Sequence, residues 1–478
     1  MIRILKKYKD DTLKFLFYDY ETFGTNPALD KPVQFACIRT DVNFNMIEEP
    51  TILFCYPPID YLPNAEAILI TGITPQYTFS SGFNEFYFAK NIYNILNTGN
   101  TCVIGYNNIR FDDEITRNIF YRNLLDPYYW TWMNGNSRWD LLDVVRAYYA
   151  FRPNKINWPI NKLGIPSFKL EDISKANNIS HFMAHDALSD VYATISLARF
   201  LKEKNTRLFQ FLFQNRSKKK LLSIINIHNM KPMFYVSGLF GNARSNVSLI
   251  VPFLWHPKNK NILIGIDLTK NVLTLISYLN NIYTQPVNYN TIFSLGLIFV
   301  YINRCPILAP ESCLSKKDLN RLNIDDKYCY KNLHILKNTV LIKKNILFIL
   351  NFDHVMVSKD IDERIYDAFF CDKDKNIIKR LNRQLPLNSI SNRIEFCDDR
   401  IKDILFRCKA RNFPYFLKNN EKITWLKYCR TILNKELIYN YRSNIEILLK
   451  KYSNHIKKNF LLKELLLYVK DLENYIFS

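Results

Sequence analysis

Short apolar runs alternate with stretches of helical periodicity through the first part of the chain, up to about residue 203. The runs that predict strands lie at 13–18, 33–39, 52–55 and 101–106, and the helical patterns lie at 85–96, 112–122 and 184–202. Such alternation is typical of α/β domains, in which helices cover the faces of a sheet. A mixed sheet with flanking helices is therefore predicted.

The periodicity changes twice along the rest of the chain. From residue 208 to 355, short β-rich runs separated by Pro, Gly and Asn predict a small, mostly antiparallel β-domain with helical insertions. From Ile361 onward the patterns are helical, which predicts a helical bundle. The predicted domains span 12–203, 206–358 and 360–478, which agrees with 478 residues at roughly 150 residues per domain.

The composition excludes several classes of protein. Hydrophobic residues make up 48% of the chain and charged residues 23%, so the chain is neither disordered nor fibrous. The apolar stretches are shorter than the roughly 18 residues of a membrane-spanning helix, and no secretory signal follows the N-terminal lysines. No membrane association and a cytoplasmic location are predicted. Ten cysteines without a C-x-x-C pair predict reduced, mostly buried thiols.

The charge balance is strongly basic. Lys and Arg number 65 against 44 Asp and Glu, which leaves a formal net charge of +21. An excess of this kind is expected of a protein that binds phosphates. A chain rich in Lys, Asn, Ile and Phe also reflects an A/T-rich genome, so charge alone leaves nucleic-acid binding open.

Three segments carry acidic residues at the ends of predicted elements. Asp19 and Glu21 follow the first strand two residues apart, on the same strand face, where a divalent cation would relieve their repulsion. Asp112 begins a helix after a strand, and His185 precedes Asp190 by five residues at the start of another helix. Each segment alone has a simpler explanation, such as an exposed strand end or a helix cap.

Together, these segments resemble the DEDDh branch of the 3′-to-5′ exonuclease superfamily. The sequence is more closely similar to the bacterial exodeoxyribonuclease I family, and this likeness covers essentially the whole chain. The segments that carry it are 18–25, 105–108, 110–114, 136–140, 184–187, 230–232, 254–257 and 409–414.

The resemblance implies a ribonuclease H-like α/β exonuclease domain, an SH3-like β-barrel domain and a C-terminal helical domain. It implies Mg²⁺-dependent degradation of single-stranded DNA from 3′ to 5′, with release of 5′-mononucleotides, in DNA repair and recombination. Two Mg²⁺ ions and a histidine general base would act at Asp19, Glu21, Asp112, His185 and Asp190. The register of the family motif favours Asp112 over its neighbour Asp113.

The segment between Asp112 and His185 is both aromatic and basic. Aromatic faces stack on the bases of single strands while cations follow the backbone, although half of these aromatics are expected in the core. With Glu21, the predicted DNA contacts are Arg117, Tyr128, Trp132, Arg146 and Lys169. At Lys169 the family tends to have arginine, so a bidentate phosphate contact would be lost.

The resemblance also implies a protein partner, the acidic C-terminal tail of the bacterial single-stranded DNA-binding protein. Such a tail needs cations around an apolar pocket. Arg152, Lys231 and the possible pocket wall Phe211 are the candidates, with ordinary interdomain or surface roles as the alternative. A monomer is expected. The rival functions are RNA trimming by a related DEDDh enzyme and non-catalytic binding of single strands.

Overall fold

The computed structural model describes residues 12–181, 184–283, 287–351, 360–384 and 394–478. The strands are β1 (Lys14–Thr22), β2 (Pro32–Thr40), β3 (Thr51–Phe54), β4 (Thr101–Gly105), β5 (Ser137–Asp140), β6 (Met233–Val236), β7 (Val247–Trp255), β8 (Ile262–Asp267), β9 (Leu297–Tyr301) and β10 (Ile307–Pro310). No helix within these ranges is both long enough and apolar enough to cross a membrane.

The helices of the first half are α1 (Ala65–Thr71), α2 (Pro75–Ser81), α3 (Glu85–Leu96), α4 (Asp112–Arg122), α5 (Leu141–Phe151), α6 (Leu170–Ala176), α7 (Ala187–Lys204), α8 (Thr206–Gln214) and α9 (Lys218–Ile224). Those of the second half are α10 (Val272–Asn280), α11 (Tyr289–Ser294), α12 (Lys316–Arg321), α13 (Asp326–Lys337), α14 (Leu341–Asn351), α15 (Asp372–Gln384), α16 (Arg400–Asn412), α17 (Asn419–Ile432), α18 (Lys435–Lys451) and α19 (Ile456–Phe477).

The described residues form two compact units. The first takes residues 12–137, 184–192, 360–384 and 394–478, and the second takes 138–181, 193–283 and 287–351. The first unit therefore combines the N-terminal sheet with the C-terminal helices.

The sheet of the first unit has its strands in the order β3-β2-β1-β4. β1 pairs antiparallel with β2 and parallel with β4, which gives the mixed sheet that the sequence predicts. On one face, Tyr18 and Tyr20 of β1 pack with Phe35 of β2 and with Phe88 and Ile119 of helices α3 and α4. Because side chains alternate along a strand, this packing leaves Asp19 and Glu21 on the opposite face.

The C-terminal helices pack against the same helical layer. Ile361, Ile401 and Ile404 form one buried cluster with Phe86 of α3 and Tyr121 of α4. Helices α17, α18 and α19 form a second cluster that includes residues of α1. Within the described residues beyond 360, no strand is assigned, which confirms the helical character predicted from Ile361 onward.

A network of buried ion pairs joins these helices to the N-terminal part. Asp362 lies 2.7 Å from Arg411 and 4.0 Å from Lys31, and Arg411 lies 2.7 Å from Asp60. Burial alone would raise the pKa of Asp362, but Arg411 and Lys31 outweigh burial and hold this pKa well below its ordinary range. The network links residues about 300 positions apart in the chain.

The second unit contains an antiparallel sheet with the strand order β10-β6-β7-β8-β9. Its core includes Leu221, Met233, Ile250, Leu263 and Val300. Helices α10 and α11 lie between β8 and β9 in the sequence, and α12, α13 and α14 follow β10, so this part of the chain contains the helices predicted within it.

The buried network predicts a large loss of stability when one partner is removed. Asp362→Ala leaves Arg411 and Lys31 without their shared anion, so we expect the free energy of unfolding to fall by about 3–5 kcal/mol. Urea denaturation followed by circular dichroism measures this loss. Glu473→Ala is the matched control, because the Arg442–Glu473 pair is 45% and 29% exposed and should contribute less than about 1 kcal/mol. Equal losses in both variants would contradict the structural role of the network.

Candidate active site

Strand β1 places two acids side by side near its C-terminal end. Asp19 is half-buried and Glu21 is 9% exposed. In the register with β2, Glu21 lies opposite Gln34. The apolar residues that flank these acids fix the strand in the core, so the two carboxylates cannot turn away from each other without breaking the sheet.

Helix α4 brings in a third acid. Asp112 is its first residue, is 3% exposed, and accepts a hydrogen bond of 3.1 Å from the backbone N–H of Tyr20. A carboxylate at this position is stabilised by the positive end of the helix dipole. Asp113 faces elsewhere, because it accepts hydrogen bonds from the Tyr18 hydroxyl and from Asn108.

The start of α7 supplies a histidine and a fourth acid. The Gln34 side chain donates to the carboxylate of Asp186 at 3.3 Å and accepts from the backbone N–H of Ala187 at 3.2 Å. Asp186 also accepts from the N–H of Ser189 at 3.0 Å and thereby caps the helix. Gln34 therefore holds the first turn of α7 against the sheet.

His185 and Asp190 project from this first turn towards β1. The ligand atoms of Glu21, His185 and Asp190 lie within 4.8 Å of one another. His185 is exposed and has a positive φ of 66°, which is uncommon for a residue with a side chain and occurs frequently at functional sites. The helix start thus presents its histidine at the open side of the acidic cluster.

The acids of this cluster raise one another's pKa. Burial raises the pKa of Glu21 to about 8, with further contributions from Asp190, Asp112 and Asp186. Burial likewise raises the pKa of Asp19 well above its ordinary value, followed by the charges of Asp112, Glu21 and Asp190. The structure therefore brings together all five residues that the sequence assigns to catalysis.

Two supporting residues were not found from the sequence. Asp186 has a recognisable signal, since an aspartate directly before a helix is a common cap. Gln34 has none, because its role depends on the pairing of β2 with β1 and on the distant start of α7.

The predicted DNA contacts of the first unit differ in exposure. Arg117 is 8% exposed, donates to Glu114 at 2.6 Å and lies over the ring of Tyr128. The Tyr128 hydroxyl donates to the carbonyl of Ile365 at 3.3 Å. Trp132, by contrast, is 57% exposed. A stacking platform for bases must be accessible, so Trp132 fits this role in its present position, while Arg117 and Tyr128 are held in packing contacts.

The remaining predicted contacts belong to the second unit. Arg146 pairs with Asp143 at 2.7 Å and its guanidinium lies against Gly238, whereas the Lys169 side chain is 74% exposed. Among the candidate tail-binding residues, Arg152 and Lys231 are exposed and Phe211 is half-buried. One Arg152 nitrogen donates to the carbonyls of Phe151 and Cys313.

Three family models match the chain. The model described as Exonuclease matches residues 16–198, the Exonuclease I SH3-like domain matches 216–351, and the Exonuclease I C-terminal domain matches 359–472. Together they agree with the fold class predicted from the sequence.

Known proteins are similar to this chain over nearly its full length. The Exodeoxyribonuclease I of Buchnera aphidicola subsp. Schizaphis graminum is 51% identical over 472 residues, which cover 98% of this chain and 97% of that protein. The crystal structure of E. coli exonuclease I with a dA16 oligonucleotide has a TM-score of 0.91 at 43% identity, covering 96% of this chain and 100% of that chain. The crystal structure of SSB/Exonuclease I with the inhibitor CFAM has a TM-score of 0.89 at 43% identity, with the same coverage. The chain therefore belongs to the bacterial exodeoxyribonuclease I family of 3′-to-5′ exonucleases.

Proposed function

We propose that this protein hydrolyses single-stranded DNA from its 3′ end with two Mg²⁺ ions and releases 5′-mononucleotides, as a cytoplasmic monomer in DNA repair and recombination. The observation that carries the proposal is the convergence of four acids and a histidine at the end of β1. The five residues are Asp19, Glu21, Asp112, His185 and Asp190. Relatives in this family include the E. coli enzyme solved with dA16, which supports DNA as the substrate.

The donor set fits Mg²⁺. Carboxylate oxygens are the ligands that this hard cation prefers, and burial has removed much of the water that would otherwise solvate these acids. Asp19, Glu21, Asp112 and Asp190 would hold the ions. When bound, a pair of divalent cations makes water a stronger nucleophile and stabilises the charge on the leaving oxygen of a phosphodiester.

His185 is assigned the role of general base. Histidine is the side chain used most often for proton transfer in catalysis, and a base must reach the proton that it removes. The exposure of His185 and its proximity to Glu21 and Asp190 support this role, since a water bound near these acids would lie within its reach. Glu21 would also contact the substrate, because it lies on the same open face.

DNA would be held by both electrostatic and stacking contacts. The formal charge of +21 favours a polyanion, and the exposed Trp132 ring offers a surface for a base. Arg117, Tyr128, Arg146 and Lys169 complete the proposed contacts. At Arg117 and Tyr128, which packing contacts hold in place, we expect an indirect contribution through the position of the neighbouring surface.

The acidic C-terminal tail of the single-stranded DNA-binding protein is the proposed partner. The relative solved as SSB/Exonuclease I supports an interaction of this kind. Arg152 and Lys231 would pair with the acidic residues and the terminal carboxylate, and Phe211 would contact the apolar side chain.

The direction of digestion and its dependence on Mg²⁺ test the proposed reaction. A time course with 3′-labelled and 5′-labelled single-stranded DNA should show stepwise loss from the 3′ end in Mg²⁺ and none in EDTA. His185→Ala should lower the rate by a factor on the order of 10² to 10⁴, as expected for loss of a general base. Asp190→Ala should abolish cleavage while DNA binding remains measurable.

Duplex DNA and RNA of the same sequence are the control substrates, and Trp158→Phe is a control variant because Trp158 packs against Tyr149 and Phe168 in the second unit. Digestion from the 5′ end, full activity in EDTA, or preferred cleavage of RNA would contradict the proposed function. Wild-type turnover in His185→Ala would show that the histidine is structural.

The raised pKa values predict how stability depends on pH. In EDTA, the folded state binds more protons than the unfolded state between the ordinary pKa of Glu21, 4.5, and its folded value of about 8, so stability should fall as pH rises through this window. Glu21→Gln removes this proton uptake and should exceed wild type by about 0.5–2 kcal/mol at pH 8. The excess should shrink at pH 5. Thermal and urea unfolding at both pH values measure the effect.

Mg²⁺ should stabilise wild type at pH 8 more than it stabilises Glu21→Gln, because the variant lacks one of the proposed ligands. The half-buried control Glu473→Gln, which lies outside the acidic cluster, should keep the wild-type pH dependence. A Glu21→Gln variant with the wild-type pH dependence would show that burial and the neighbouring acids do not raise the pKa of Glu21.

The proposed partner is tested by fluorescence anisotropy with a labelled peptide of the tail. Binding to the full chain should be weak, should decrease as salt is added, and should fall several-fold in Arg152→Ala and in Lys231→Ala. Lys470→Ala removes an exposed lysine of the first unit and should bind like wild type. Binding that is absent at low salt, or that neither substitution changes, would reject these residues without affecting the nuclease assignment.

A further inference from the structure

Two exposed cysteines lie close together among the C-terminal helices. Cys371 directly precedes α15, and Cys397 precedes α16 by three residues. Of the ten cysteines of the chain, these two are exposed, whereas the other eight are buried or half-buried. The sulfur atoms of Cys371 and Cys397 lie within 4.8 Å of each other. The pair therefore differs from the buried thiols that the sequence predicts.

A buried carboxylate completes the cluster. Asp374 is 0% exposed, and its two oxygens accept hydrogen bonds from the backbone N–H groups of Cys397 at 2.9 Å and Asp398 at 3.0 Å. The N–H of Asp374 in turn lies 3.5 Å from the sulfur of Cys371. Asp374 thus fixes the segment that carries Cys397 beside the start of α15.

The three side chains have the spacing of metal ligands. One ligand atom from each of Cys371, Asp374 and Cys397 lies within 4.8 Å of the others. Two sulfurs and one oxygen suit a borderline-soft cation such as Zn²⁺, which binds thiolate and carboxylate at about 2.0–2.3 Å. Each oxygen of Asp374 accepts one hydrogen bond and has a second lone pair with which to bind a metal.

The surroundings favour a cation. The cluster lines one side of a cavity of about 520 Å³ whose wall also carries Asp399 and Asp403. The two arginines of this wall are already paired with acids, Arg400 with Asp398 at 2.7 Å and Arg364 with Asp367 at 2.7 Å. The charged residues of this wall are therefore mainly acidic, in a chain whose overall charge is +21.

We propose that Cys371, Asp374 and Cys397 form a binding site for one zinc-class divalent cation, distinct from the acidic cluster at the end of β1. Three protein ligands leave a fourth tetrahedral position, which water fills in open zinc sites. Binding releases the thiol protons, because the thiolate is the ligand form. The cation would tie the start of α15 to the segment before α16, so it would also stabilise this part of the first unit.

The donor sulfurs provide a specific readout. Co²⁺ added to the reduced, full-length protein should give a near-ultraviolet thiolate-to-cobalt charge-transfer absorption that saturates at one equivalent, and Zn²⁺ should abolish it. Cobalt at the acidic cluster, whose residues offer only oxygen and nitrogen, contributes no such absorption. Cys371→Ser and Cys397→Ser should each lose the absorption and bind Zn²⁺ at least ten-fold more weakly. Cys313→Ser, a half-buried cysteine of the second unit, should match wild type.

A second measurement uses the unmodified protein. Zn²⁺ should slow the alkylation of Cys371 and Cys397 by iodoacetamide at least ten-fold, as read by mass spectrometry, and should leave the alkylation of Cys305 and Cys313 unchanged. The proposal is overturned if the reduced protein shows no charge-transfer absorption, or if both serine variants retain it. It is also overturned if the two cysteines form a disulfide in air and, after reduction, gain no protection from Zn²⁺.

Discussion

The mutual repulsion of the carboxylates at the end of β1 is the constraint that the surrounding structure must overcome. Burial and neighbouring negative charge both oppose ionisation of Glu21 and Asp19. Two features oppose this repulsion. Asp112 and Asp190 lie in the first turns of α4 and α7, where helix dipoles favour negative charge. The aromatic packing behind β1 then prevents the strand from relaxing away from the cluster.

The buried network around Asp362 shows the opposite use of the same physics. Asp362 and Glu21 are both buried acids, yet the pKa of Asp362 is held low and that of Glu21 is raised to about 8. The difference lies in their neighbours, since Asp362 contacts Arg411 and Lys31 whereas Glu21 faces other acids. Matched charge makes Asp362 a structural residue of the helical layer. Unmatched charge at Glu21 leaves a site that needs a cation.

Much of this organisation could be predicted from the sequence. Helices 85–96 and 112–122 were predicted at the bounds that α3 and α4 have, because apolar spacing marks both and each begins with an acidic residue, Glu85 in α3 and Asp112 in α4. The catalytic set could be predicted because its three segments lie at the ends of predicted elements and together resemble the motif of a known family. The division at 203–206 and 358–360 stays a prediction. The C-terminal helices belong to one compact unit with the N-terminal sheet, which no local pattern could indicate.

The site residues that could not be predicted depend on long-range contacts. Gln34 acts through strand register. The sequence predicts Arg117 as an accessible basic residue, but in the structure packing with Glu114 and Tyr366 buries it. The exposure of an arginine depends on which other segment of the chain packs over its helix. The apolar periodicity of that helix does not reveal this segment. The proximity of Cys371 and Cys397 also depends on a long-range contact. The two cysteines lie 26 positions apart in the sequence, and the carboxylate of Asp374 brings them together.

The adjacent residues Asp112 and Asp113 have different roles, one in the acidic site and one in the core. Successive residues of a helix point about 100° apart, so the two carboxylates face different sides of β1. Asp112 reaches the backbone of Tyr20 and the acids beyond it, whereas Asp113 binds the Tyr18 hydroxyl within the core. Burial and then the charge of Asp113 raise the pKa of Tyr18, so this tyrosine stays protonated and remains a donor. The alternation of side chains along β1 thus places Tyr18 and Tyr20 on one face and the acidic site on the other. Asp113 contacts the tyrosine face, and Asp112 belongs to the acidic site.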